Sequence, residues 1–142
     1  MPESGIGGPD TNLGGVLGPP DEQLVRIHTA RVAHAAGEAL VVTVAGEIDL
    51  LTIDRLRAAV AVGFADLRAG EMLVIDLTQV TFMDSRGLQT LVEVTQAAQQ
   101  RPQPLRIVVD HTRPVIRPIQ ITGLHKVLAL FDTVEDALHA PS

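Results

Sequence analysis

The sequence contains no cysteine, no tryptophan and no tyrosine, and phenylalanine occurs only three times. Without cysteine there can be no disulfide, no thiolate metal site and no cysteine nucleophile. Aromatic residues make up 2% of the chain, so the stacking platforms that hold single-stranded nucleic acids or sugars are missing. Basic residues are scarce too: 11 Lys and Arg stand against 17 Asp and Glu, a formal charge of −6. Glu3, Asp10, Asp21 and Glu22 lie in a stretch with no basic residue, so residues 24–142 hold 13 acids against 11 bases. That near-neutral balance offers no basic stripe for a phosphate backbone, and no direct nucleic-acid contact is expected. No apolar run reaches bilayer-spanning length, and the N-terminus has no basic-then-apolar leader pattern. No membrane association and a cytoplasmic location are therefore expected.

What remains is enough for a core. The chain has 142 residues, 46% of them hydrophobic, which suits one domain packed from Leu, Val, Ile and Ala. Residues 1–23, MPESGIGGPDTNLGGVLGPPDEQ, hold six of the 12 glycines and four of the nine prolines. Their apolar residues show no period, so they are expected to form a flexible tail, either a start-site extension or a regulatory arm. The domain then spans 24–142.

Within it, LVRIHTARV (24–32) and ALVVTVAGEI (39–48) read as a hairpin joined through a Gly-containing loop. Ile53, Leu56, Val60, Phe64 and Leu67 recur at helical spacing, with Thr52 as the expected N-cap and Asp54 in the positive first turn. MLVIDL (72–77) is a continuous apolar run of strand length, the pattern of a strand covered on both faces. Leu88, Leu91, Val92 and Thr95 resume a helical stripe up to about Gln100. LRIVV (105–109) and VLALF (127–131) are further strands. A helix from about Pro114 to Thr122 is closed by Gly123, with Pro118 expected to shorten or kink it. Thr133 and Asp136 have capping-box spacing at the start of a C-terminal helix. Strand and helix alternate from residue 40. The expected fold is α/β, with a mostly parallel mixed sheet of four to five strands and about four helices.

In such folds chemistry gathers where strand C-termini meet helix N-termini. Two stretches qualify: Gly46-Glu47-Ile48-Asp49 and Met83-Asp84-Ser85-Arg86-Gly87. If their strands are neighbours, Asp49 and Asp84-Ser85 share one edge. Ser85 can be read as a helix cap, a nucleophile or a phosphate acceptor. The nucleophile reading lacks both a G-x-S-x-G elbow and a placed histidine base. The acceptor reading uses the free N–H groups and positive dipole end of a helix start. Gly87 would let a phosphate or a partner's backbone come close. Asp49 and Asp84 can be helix-start acids, a metal pair or an acid/base pair. Asp76 is expected near a strand end, buried and hydrogen-bonded. His28, His34, His111, His125 and His139 stand in no ligand spacing, and no P-loop or G-x-G-x-x-G is present. Catalytic residues, a bound metal and a cofactor are not expected.

GEIDLLTIDRLRAAV, VIDLTQVTFMDSRGLQTLVE and LRIVVDHTRPVIRPIQITGLHKVL together resemble the STAS domain, and more closely the bacterial anti-sigma factor antagonists. The resemblance covers residues 24 to about 139. It implies a binding protein rather than an enzyme. Its partner would be an anti-sigma factor that is also a GHKL-type serine kinase, and the unphosphorylated antagonist would hold that kinase and free a sigma factor. The resemblance further implies that the kinase phosphorylates Ser85 and so releases itself, and that a phosphatase resets the switch. Asp84 and Gly87 match the family's D-S-x-G stretch, and Asp49 matches its loop acid. Partner contacts are thus expected at Asp49, Asp84, Ser85, Arg86 and Gly87, with the free protein a monomer or weak dimer. Arg86 stands where the family most often has Ser or Thr, and Gln89 where it often has Gly. STAS domains also serve as subunits of lipid-transport complexes or as scaffold layers, roles that need no phosphorylatable serine.

Overall fold

The computed structural model describes residues 25–113, 119, 123 and 128–141. The tail at 1–23, all of the helix expected over 114–122 except Ile119, and the first residue of VLALF lie outside the described residues. The remaining elements are β1 (Val25–His34), β2 (Gly37–Ile48), α1 (Ile53–Asp66), β3 (Met72–Met83), α2 (Ser85–Ala98), β4 (Leu105–Val108), β5 (Leu130–Phe131) and α3 (Val134–His139). The sheet order is β1-β2-β3-β4-β5. β1 runs antiparallel to β2, and every later neighbour pair is parallel. The expected mixed, mostly parallel sheet is thus the one observed.

The continuous apolar runs have the cause expected of them, because period-2 alternation sends neighbouring side chains to opposite covered faces. Leu40, Val42, Leu73 and Ile75 pack with Ile53, Leu56, Val60 and Phe64 of α1 and Leu88 and Leu91 of α2. Ala39, Val41, Val74 and Val108 face the other way, onto Ala137 and Leu138 of α3. An ion pair of 2.6 Å between Arg57 and Glu93 ties α1 to α2 on the surface.

Four local expectations change. The last strand is shorter than VLALF: only Leu130 and Phe131 pair with β4, and Leu128 and Ala129 precede the strand. The hairpin is longer, with strands reaching His34 and Gly37 around a two-residue turn. β3 continues to Met83 instead of stopping at Leu77. It does so through a bulge, where Thr43 to Ala45 of β2 spans the same length as Asp76 to Gln79 of β3. Asp76, half-buried, holds the bulge by accepting from Thr78 N at 3.0 Å and Thr78 Oγ1 at 2.8 Å. Thr52 occupies the N-cap position of α1, but its backbone is already helical and its side chain caps nothing. The helix tolerates this because each large apolar side chain of its buried spine contributes roughly 1.5–3 kcal/mol. A missing cap costs about 1 kcal/mol. Thr133, by contrast, caps α3 as expected, accepting from Asp136 N at 3.0 Å.

Candidate functional site

Two strand ends build the site. Ile48 of β2 pairs with Met83 of β3, so the next residue of each strand, Asp49 and Asp84, leaves the sheet beside the other. Asp84 N donates to Ile48 O at 3.1 Å, which locks the two exits together. The condition for bringing Asp49 and Asp84-Ser85 to one edge is therefore met.

Gly46, the glycine of the GEID stretch, has φ +108 and sits where the β2–β3 register slips. A side chain would resist that backbone, and the slip re-aims Glu47 and the loop leading to α1. Beyond it the loop is tied by Thr52, which is 1% exposed. Its hydroxyl donates to Glu47 O at 2.8 Å and accepts from Asp49 N at 3.0 Å. Asp49 Oδ1 accepts from Leu51 N at 2.9 Å, and Asp49 O accepts from Ile53 N at 2.9 Å. Asp49 thus shapes the turn into α1 while its half-buried carboxylate still reaches the surface.

At the second exit, Asp84 is the N-cap of α2, in extended conformation. Its Oδ1 accepts from Arg86 N at 2.9 Å and Gly87 N at 3.2 Å. The capping reading of Ser85 is thereby displaced by one residue. Ser85 is the first helical residue, exposed, and its hydroxyl has no hydrogen-bond partner among the described residues. Arg86 beside it is exposed and in no ion pair among the described residues.

Gly87 faces inward. A Cβ there would lie 2.4 Å from Met83 Cγ and 3.0 Å from Ile48 Cγ2. The glycine lets α2 pack onto the very strand ends that carry Asp49 and Asp84. Its local need is close helix–sheet packing.

Sequence reasoning missed three residues. Leu50 is 61% exposed, Leu51 63% and Phe82 50%. Leu50 and Leu51 come directly after Asp49, and Phe82 pairs with Glu47. Apolar surface is therefore exposed next to both strand exits. The one available signal was the Leu-Leu pair between the acid and the helix, off the spine that starts at Ile53. Among the described residues no group of three or more His, Asp or Glu side chains could hold a metal. No helix among them is long and apolar enough to cross a membrane.

A five-stranded mixed sheet, one antiparallel edge strand followed by parallel neighbours, with an exposed serine at the start of a helix packed on it, defines an α/β domain. The STAS domain family profile matches residues 30–137, and the chain belongs to that family. It is 38% identical over 110 residues to the anti-sigma-F factor antagonist RsfB of Mycobacterium tuberculosis, covering 78% of this chain and 86% of that one. It is 34% identical over 87 residues to the anti-sigma-B factor antagonist of Listeria monocytogenes, covering 61% of this chain and 74% of the relative. Among solved structures, an anti-sigma factor antagonist from Mycobacterium paratuberculosis superposes with a TM-score of 0.62 at 34% identity, covering 86% of this chain and 96% of that one.

Proposed function

We propose that this chain is an anti-sigma factor antagonist that binds an anti-sigma factor with GHKL-type serine kinase activity and is switched off by phosphorylation of Ser85. The names of its relatives support antagonism of an anti-sigma factor; the kinase character of that partner is what the family resemblance implies. One observation carries the phosphorylation switch: Ser85 is exposed and relieved of capping duty because Asp84 performs it. Its hydroxyl is free to enter a kinase site, attack the γ-phosphorus of ATP, lose its proton and displace ADP. In this reading Leu50, Leu51 and Phe82 dock against the partner, with Asp49 at the rim. A cytoplasmic phosphatase restores the hydroxyl.

The Asp84 cap raises the electrostatic cost of a phosphate on Ser85. A phosphate adds about −1.5 to −2 charges. The N–H groups of Arg86 and Gly87 that would best neutralise it are already taken by Asp84. The dianion therefore stands beside two carboxylates with part of the helix terminus spent. Burying it in an interface costs far more than burying a hydroxyl. A loss of about 3 kcal/mol already weakens binding more than a hundredfold.

The test is incubation with a cognate GHKL-type kinase and ATP, then intact mass and peptide mapping. One phosphate on Ser85, and none on Ser85→Ala, is expected. Ser85→Asp should fold normally and lose the partner, whereas Ser85→Ala should bind and stay bound. Equal binding by both variants, or no modification of Ser85, would overturn the switch.

A further inference from the structure

The opposite end of the sheet holds a cavity of about 610 Å³ that shares no residue with the Ser85 edge. It opens where β3 begins, some 11 residues of strand from Met83, or roughly 35 Å at the usual rise. Its walls include Met72, Pro104 and Leu138, with Arg106, His34 and His139 among them.

Arg106 is the anomaly. It lies in the middle of an otherwise apolar strand and is 4% exposed. Its Nη1 donates to Ala137 O at 2.5 Å, and its guanidinium carbon sits 5.6 Å from the Phe131 ring. Neither contact supplies negative charge. Among the described residues no carboxylate lies within ion-pair distance of it. The cavity's one lining carboxylate, Glu71, is committed elsewhere: it accepts from Arg31 Nε at 2.8 Å, Arg31 Nη2 at 3.1 Å and Arg68 N at 2.7 Å. Guanidinium has five N–H donors in a fixed fork, and among the described residues one is used. A cation this buried, with no counter-charge among the described residues, is costly. A second group on the cavity wall is also unmet, since His34 Nδ1 is buried with no hydrogen-bond partner.

A carboxylate is the group that fits a guanidinium fork. The apolar walls ask for a short hydrocarbon body behind it. We infer that this cavity binds a small organic acid, its carboxylate on Arg106 and its body against Met72 and Leu138.

The probe is butyrate, with the uncharged isostere butyramide as control, titrated into the full chain in a buffer free of carboxylate and phosphate. Amide NMR shifts and thermal melting are the readouts. Butyrate should move the amides of Met72, Arg106 and Leu138 and raise the melting temperature, with a dissociation constant on the order of 1 mM for so small a ligand. Butyramide should bind at least tenfold more weakly. Arg106→Gln should lose the response, and Ser85→Asp should keep it. Equal binding of butyramide would overturn the proposal without reference to any variant. So would an absence of shifts at those amides up to ten times the expected constant.

Discussion

Asp84 Oδ1 lies 2.9 Å from the backbone nitrogen of Arg86, so the acid before Ser85, and not Ser85 itself, closes the start of α2. Two adjacent residues with equal capping ability have divided the work. One is consumed by the fold and the other keeps an exposed, unengaged hydroxyl.

This division makes Asp84→Ala informative. Removing an N-cap costs about 0.5–2 kcal/mol. The shortfall should be partly recovered by Asp84→Asn, which can still accept from Arg86 N. Chemical denaturation measures the first effect. Phosphorylation rate measures the second, because without Asp84 the Ser85 hydroxyl becomes the nearest acceptor for the orphan N–H groups and should react more slowly. A stability loss below about 0.3 kcal/mol would remove Asp84 from the capping role.

The exposed apolar side chains carry a separate expectation. Leu51 and Phe82 are at least half exposed, so Leu51→Ala and Phe82→Ala should change stability by no more than about 0.5 kcal/mol. At a docking surface the same truncations remove central apolar contacts, and each should weaken partner affinity by about tenfold or more, or ~1.4 kcal/mol. Calorimetric titration with the anti-sigma factor separates the two effects. Unchanged affinity in both variants would move the interface away from this edge.

Gly87 sets two effects of opposite sign against each other. Gly to Ala inside a helix favours the helical state by about 1 kcal/mol. The new Cβ would fall 2.4 Å from Met83 Cγ, an inner atom of a buried side chain, and 3.0 Å from Ile48 Cγ2. Overpacking of that kind typically costs about 1–3 kcal/mol. The collision should win, and Gly87→Ala should destabilise. Met83→Ala in the same chain should relieve it, giving a favourable coupling of at least about 0.5 kcal/mol in a double-mutant cycle. Additive effects would show that the helix shifts freely.

Much of this was readable in the residues, and the exceptions have physical reasons. Strand runs covered on both faces announced the parallel sheet, and the spine from Ile53 to Phe64 announced α1. The meeting of Asp49 and Asp84 needed only that their strands be neighbours. Which of Asp84 and Ser85 caps was not readable, because both accept equally well and one residue of helix phase decides. Gly87 looked like permissive backbone facing a partner, and only the approach to Met83 shows it facing inward. Leu50 and Leu51 could have entered the core. Thr52 turns the chain so that they do not. Arg106 in LRIVV gave no sign of being buried, since a strand residue's depth depends on what its neighbours bring over it.

The last expectation concerns pH. The fork of Arg31 holds the Glu71 carboxyl below its usual value, with Arg68 N adding to the effect, while burial opposes both. The partner guanidinium is raised for the same first reason. A carboxyl whose folded-state pKa is depressed takes up protons more readily in the unfolded chain. Its contribution is therefore complete above the ordinary glutamate value of about 4.3 and is lost as pH falls through the lower, folded value. Glu71 joins β1, through Arg31, to the α1–β3 loop, through Arg68 N. The wild-type melting temperature should thus fall between roughly pH 5 and the acid limit more steeply than that of Glu71→Gln. The two curves should converge at low pH, where the wild-type carboxyl is protonated too. Parallel melting curves for the two proteins across that range would mean that the Arg31–Glu71 pair contributes nothing to the acid limb, and that other carboxylates govern it.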